Sequence, residues 1–233
     1  MIKNELIKFF TPLKVIVYIG FLLTCILLPI AVFQDNEIIA PYDFICGSMN
    51  DVLVLIIPII LASIVSEVFT YDYELGCMKF FIIYRKRDKV LFAKIIALIL
   101  IAATLIIISF ITLIIIYAIQ NPQMINALYN QIFDISKLMT LFLMAMMPII
   151  LIYVLISIIC KNSMIISLIV FLLVMMSDLF VKFIADITPT RFFRVFLNKG
   201  NHIDGVSIIL FISYIIIFLL LNLKVFSKKE MLQ

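Results

Sequence analysis

Six apolar stretches, at residues 15–33, 52–70, 95–119, 138–159, 164–183 and 206–223, each reach or approach the length a chain needs to cross a bilayer as a helix. That length is about 20 residues for about 30 Å of hydrocarbon. The sequence therefore predicts an all-α integral membrane domain of six transmembrane helices. Hydrophobic residues make up 66% of the chain and charged residues 14%, well under the roughly 25% charge of a soluble domain. No Ser-, Gly- or Pro-rich linker divides the 233 residues, so a single transmembrane domain, 1–233, is expected. The segments outside the spans are too short to fold as a separate catalytic or nucleotide-binding domain.

Orientation follows from the basic residues, which collect on the cytoplasmic side. With the N-terminus inside, the inner segments hold Lys3, Lys8, Lys14, Lys79, Arg85, Lys86, Arg87, Lys89, Lys94, Lys161, Lys224, Lys228 and Lys229. Only Lys137, Lys182, Arg191, Arg194 and Lys199 fall outside or at outer span ends. Both termini are thus predicted to be cytoplasmic. A net charge of +4 suits contact with anionic inner-leaflet lipid and gives no case for nucleic acid. The first span is expected to stay uncleaved, because its apolar run exceeds a signal-peptide core and no small-x-small site follows before Asp35. Ahead of it, residues 1–14 place Ile2, Leu6, Phe9, Phe10 and Leu13 on one arc of a helical wheel, with Asn4, Lys8 and Thr11 opposite. That pattern predicts an interfacial helix on the inner leaflet, with Pro12 turning the chain into the membrane.

Several chemistries are excluded by what the chain lacks. Cys25, Cys46, Cys77 and Cys160 are scattered over different segments, without CxxC or Cys/His metal spacing, so they read as small apolar fillers. A single histidine, His202, permits neither a HExxH metal helix nor a histidine relay. The segment Gly200 to Ser207 has a GxxxxG spacing, yet Val206 stands where a phosphate-binding loop requires lysine. No catalytic residue, metal ligand or bound cofactor is expected in this chain.

Polar information concentrates in the inner segment 71–94, where Asp72 and Glu74 come first, an apolar patch around Met78, Phe81 and Ile82 follows, and Arg85 to Lys89 close it. Setting orientation would require only the basic cluster. The acidic turn and apolar patch point to docking on a cytoplasmic partner. Ionisable residues inside spans are costly and so are functional candidates. Asp178 and Lys182, four residues apart on one helix face, can neutralise each other, and Glu67 lies near the inner end of the second span. The remaining span surface is Ile, Leu, Phe and Met, which suits an amphipathic or lipid-like cargo better than a sugar or an ion.

At the 71–94 loop the sequence resembles the permease subunits of type-2 ABC exporters, the bacterial kind that pairs with a separately encoded ATPase. The resemblance lies in Glu74 and Gly76 as a Glu-x-Gly pair after the second span, an apolar stretch, then Arg87 followed seven residues later by Lys94. The family's proline three residues before that arginine is Tyr84 here. A second echo is the ending Lys224-Val-Phe226-Ser-Lys228-Lys229-Glu230. The resemblance implies a half-transporter: this chain with a second copy or a sister permease, and two cytoplasmic ATPase subunits that hold ATP and Mg. It implies ATPase coupling through Asp72, Glu74, Gly76, Arg87 and Lys94, and a re-entrant external loop at 184–205. With the Ile, Lys and Asn bias of low-GC Gram-positive bacteria, export of antimicrobial peptides or drugs across the plasma membrane, as in self-immunity, is the leading expectation. A secondary transporter or a membrane-embedded enzyme are the alternatives. The first should show polar breaks in two internal repeats and the second clustered catalytic side chains at membrane depth.

Overall fold

The computed structural model describes residues 7, 15–16, 19–20, 23, 40–51, 61, 64–65, 68–69, 87–160, 165, 168–169 and 205–229. Among these residues only Ala40, Asn121 and Cys160 lie outside helices. Four helices have defined bounds: α1 Pro41–Asp51, α2 Arg87–Gln120, α3 Ile125–Ile159 and α4 Gly205–Lys229. α2, α3 and α4 are each long and apolar enough to cross a bilayer. The described residues of the first, second and fifth predicted spans are helical as well, whereas the bulk of those spans, the interfacial segment apart from Ile7, and the loops 70–86 and 170–204 fall outside the described residues.

α2 and α3 form an antiparallel hairpin that is the backbone of the fold. Their 34 and 35 residues give lengths of about 50 Å at 1.5 Å per residue, well beyond a 30 Å hydrocarbon layer. The connection is short because proline makes it so. Asn121, preceding Pro122, takes a non-helical φ of −126° and ψ of 67°, as the residue before proline must avoid the helical region. Pro122 then opens a single 3-10 turn, Pro122–Met124, at a position where no N–H is needed. Two backbone bonds seal the corner, Asn121 N–H to the Tyr117 carbonyl at 2.9 Å and Met124 N–H to the Asn121 carbonyl at 3.0 Å. α3 continues through Pro148 and ends at Cys160, whose extended backbone still donates to the Ile156 carbonyl at 2.8 Å.

Two faces of α2 separate cleanly even though both are apolar. Ala97, Leu98, Ile101, Ala102, Leu105, Ile106, Phe110, Leu113 and Tyr117 are buried at helical spacing, while Phe92, Ile96, Leu100, Ile107, Ile108, Ile111, Ile115 and Ile119 form an exposed stripe. A stripe of large aliphatic side chains seven turns long suits hydrocarbon and not water. The hydroxyls within these helices agree with that environment, since Thr104, Ser109, Thr112, Ser157 and Ser213 all donate to backbone carbonyls three or four residues earlier. Each of these five hydroxyls is thereby satisfied inside its own helix.

α3 is the hub, packing against α1, α2 and α4. Phe110 and Phe142 meet edge to face at 5.7 Å in the middle of the α2–α3 seam. α4 lies at the periphery. Only Ser207, Asn222 and Phe226 are fully buried on it, and Ile208, Ile209, Ile212, Ile216, Ile217, Leu220 and Leu221 stay exposed. α1 caps the hairpin beside its turn, turning Phe44, Ile45, Ser48 and Met49 inward and setting the Phe44 ring 5.3 Å from that of Tyr117.

Candidate functional site

The foot of α2 is where the sequence places the end of the coupling segment, and here the structure shows a buried cation. Arg87 opens α2, followed by Asp88 and Lys89, both exposed; an acidic residue in a first turn is favoured by the helix dipole. Two turns further, Lys94 is 0% exposed. Its Nζ donates to the Val68 carbonyl at 2.6 Å and sits 5.2 Å from the centroid of the Phe69 ring. Both partners belong to the inner end of the second predicted span. The ammonium thus ties the last turn before the 71–94 loop to the helix that follows it. A buried ammonium needs such partners, because an unpaired charge at this depth is costly.

Lys94 therefore does not face a partner protein. Of the other residues singled out from the sequence, Arg87 stands at the N-terminus of α2, and Glu67, Asp72, Glu74, Gly76, Asp178 and Lys182 lie outside the described residues.

A second polar contact near the same depth was not expected from the sequence. Asn222 of α4 is fully buried and its Nδ2 donates to the Leu151 carbonyl of α3 at 2.9 Å. Among the described residues its Oδ1 and the hydroxyl of buried Tyr153 have no hydrogen-bond partner. An asparagine within the otherwise aliphatic run 206–223 was the available signal, since amides in membrane helices commonly join neighbours.

At the opposite end, α1 and the second to fifth turns of α3 border an open cleft of about 350 Å³. Tyr42 and Asp43 line it from α1, and Gln131, Asp134, Lys137, Leu138 and Leu141 from α3. The Tyr42 N–H, one of the groups a helix N-terminus leaves without an internal partner, donates to Gln131 Oε1 at 3.0 Å. Lys137 pairs with Asp134 at 3.2 Å and lies 4.3 Å from the Phe133 ring centroid. Burial pushes the Tyr42 phenol above its ordinary value, and Cys46, Asp134 and Asp43 add to the shift. The Cys46 thiol is raised in the same way, by burial first and Asp43 second, which keeps it protonated and unreactive.

No family model and no curated protein matches this chain.

Proposed function

We propose that this chain is the transmembrane permease subunit of an ATP-driven exporter, moving an amphipathic or hydrophobic substrate out of the cell or its membrane. In this reading ATP is hydrolysed by a separate cytoplasmic subunit that docks on the 71–94 loop. A second permease copy or a sister permease completes the pathway. Antimicrobial peptides or drugs, in a self-immunity role, are the cargo that fits the apolar interior best.

The observation that carries the reading is the Lys94 tie. A docking loop can transmit force only if its ends are mechanically joined to the membrane helices, and Lys94 binds the helix after the loop to the helix before it through a buried charge-assisted hydrogen bond. A push on the loop would then reach two helices as one body. From α2 the movement passes to α3 along the Phe110–Phe142 seam and to α4 through Asn222.

Three tertiary contacts support the alternation of the predicted spans, while their orientation rests on the basic residues alone. Tyr42 and Gln131 belong to segments predicted outside, Val68 and Lys94 to inner span ends, and Leu151 and Asn222 to the inner portions of two spans that run in the same direction. Each contact joins residues that the basic-residue map puts at matching depth.

The test is co-expression with the ATPase subunit. Glu74→Ala with Arg87→Ala should leave the permease in the membrane at normal abundance, because the other basic residues of the loop keep its orientation. The ATPase should no longer co-purify, and transport should cease. Truncating hydrogen-bonded charges at a buried contact typically costs about 2 to 5 kcal/mol. Unchanged pull-down and full transport in the double variant, or hydrolysis of ATP by the purified chain alone, would sink this reading.

A further inference from the structure

We propose that the cleft between α1 and α3 is a binding site for a primary ammonium group carried on an apolar body. Its size, about 350 Å³, lies at the lower end of the range for small-molecule sites, roughly 300 to 1,000 Å³. That is room for the head and first segment of an amphipathic amine.

The sign of the ligand's charge follows from the walls. Asp43 from α1 and Asp134 from α3 bring two carboxylates into one cleft, and among its described lining residues Lys137 is the single cation. Lys137 is spoken for: it pairs with Asp134 three residues earlier on its own helix, at 3.2 Å. Among the described residues no cation pairs with Asp43. An anion would find a different feature attractive, the open N–H groups at the start of α1, yet Gln131 Oε1 already occupies the Tyr42 N–H. The Tyr42 N–H is thus taken, while the Asp43 carboxylate stays open to a cation. The field is felt by Tyr42, whose phenol is raised by burial and then by Cys46 and by both cleft carboxylates.

The body of the ligand follows from the remaining wall. Leu138 is 2% exposed and forms an apolar floor with Leu141. A divalent metal would want six or more oxygen ligands and no ammonium beside it. An organic cation needs only a carboxylate or two, an aromatic face such as that of Tyr42, and apolar contact for its carbon chain.

Such an ammonium could arrive on a soluble amphipathic molecule or as an aminated lipid headgroup, and the experiment separates the two. The full-length chain in phosphatidylcholine nanodiscs is titrated with monodansylcadaverine, a primary amine on a fluorescent apolar group, against empty nanodiscs as reference. Saturable binding is expected. Asp43→Asn should weaken it about tenfold, the scale of one lost charge-assisted contact. Asp134→Asn should weaken it less, because its charge is shared with Lys137, and Lys137→Met should tighten it. The analogue ending in a carboxylate in place of the amine should not bind. Replacing part of the lipid with phosphatidylethanolamine identifies the source. Competition assigns the site to a lipid headgroup, no competition to a soluble amine, and either result supports it. Undiminished binding in the Asp43→Asn, Asp134→Asn double variant with unchanged helix content, or equal binding of the carboxylate analogue, overturns it. No ATPase subunit is involved, so failure here leaves the transport reading standing.

Discussion

Two lysines, one at each end of the bundle, make nearly the same contacts and carry different weight. Among the described residues, Lys94 at the foot of α2 and Lys137 in the first half of α3 both meet an oxygen and a phenylalanine ring, Phe69 and Phe133 respectively. Lys94 is fully buried and holds a backbone carbonyl 26 positions away. Lys137 is 57% exposed and holds a carboxylate three positions away. The first contact joins two membrane helices and the second decorates one. In water an ion pair competes with hydration and contributes little, whereas at membrane depth the ammonium has no such alternative. In the reading proposed above, the Lys94 end transmits and the cleft end receives.

The largest effect that sharpens this contrast is expected at Lys94. Lys94→Ala removes a buried ammonium and leaves its stem volume empty, which should cost on the order of 3 to 5 kcal/mol. Unfolding in mixed micelles, followed by helix content, measures it. Lys94→Met keeps the stem and removes the charge, and well-packed apolar replacements of buried charges are often tolerated. The methionine variant should recover most of the stability and none of the transport. If it transports normally, the tie is packing alone and the force path must run elsewhere.

An intermediate effect is expected at Asn222, where one side chain joins α4 to α3. Interhelical hydrogen bonds in membranes are worth about 0.6 kcal/mol on average and at most about 1.7. Asn222→Leu loses the bond to the Leu151 carbonyl but also removes an Oδ1 that has no partner among the described residues. The net change in the same unfolding measurement should therefore stay below about 1 kcal/mol. A loss as large as that at Lys94 would mean that α4 is held by this contact and not by its long apolar seam.

Much of this arrangement was legible in the sequence, and the misses have a common cause. The predicted span ends at 119 and 159 and the start at 206 lie within one residue of the ends of α2 and α3 and the start of α4. The predicted starts at 95 and 138 fell short of Arg87 and Ile125, because hydropathy measures contact with lipid while helical hydrogen bonding continues through Asp88, Lys89, Asn126, Gln131 and Asp134. α1 was hidden for the same reason. Its inward spacing of Phe44, Ile45, Ser48 and Met49, with Pro41 at its first position, was visible in the residues but too short and polar to register as a span. Lys94 was singled out by a motif, but its burial depends on a backbone carbonyl in another helix, and no side-chain pattern encodes that. The cleft needed both missed segments, so it could not be assembled from sequence at all.

The smallest effect should come from Lys137, and it is the one that tests whether environment or chemistry sets the weight of a lysine here. Exposed pairs three or four residues apart on a helix contribute about 0.2 to 0.5 kcal/mol, and the cation over the Phe133 ring adds little while water solvates it. Lys137→Met should thus shift unfolding by no more than about 0.5 kcal/mol. That small difference should disappear in high salt, because exposed charges are screened, while the Lys94→Ala deficit should persist there. A salt-resistant loss at Lys137 comparable to that at Lys94 would mean that the outer pair is desolvated in the membrane. The cleft would then be a closed structural joint, and the division between a transmitting end and a receiving end would fail.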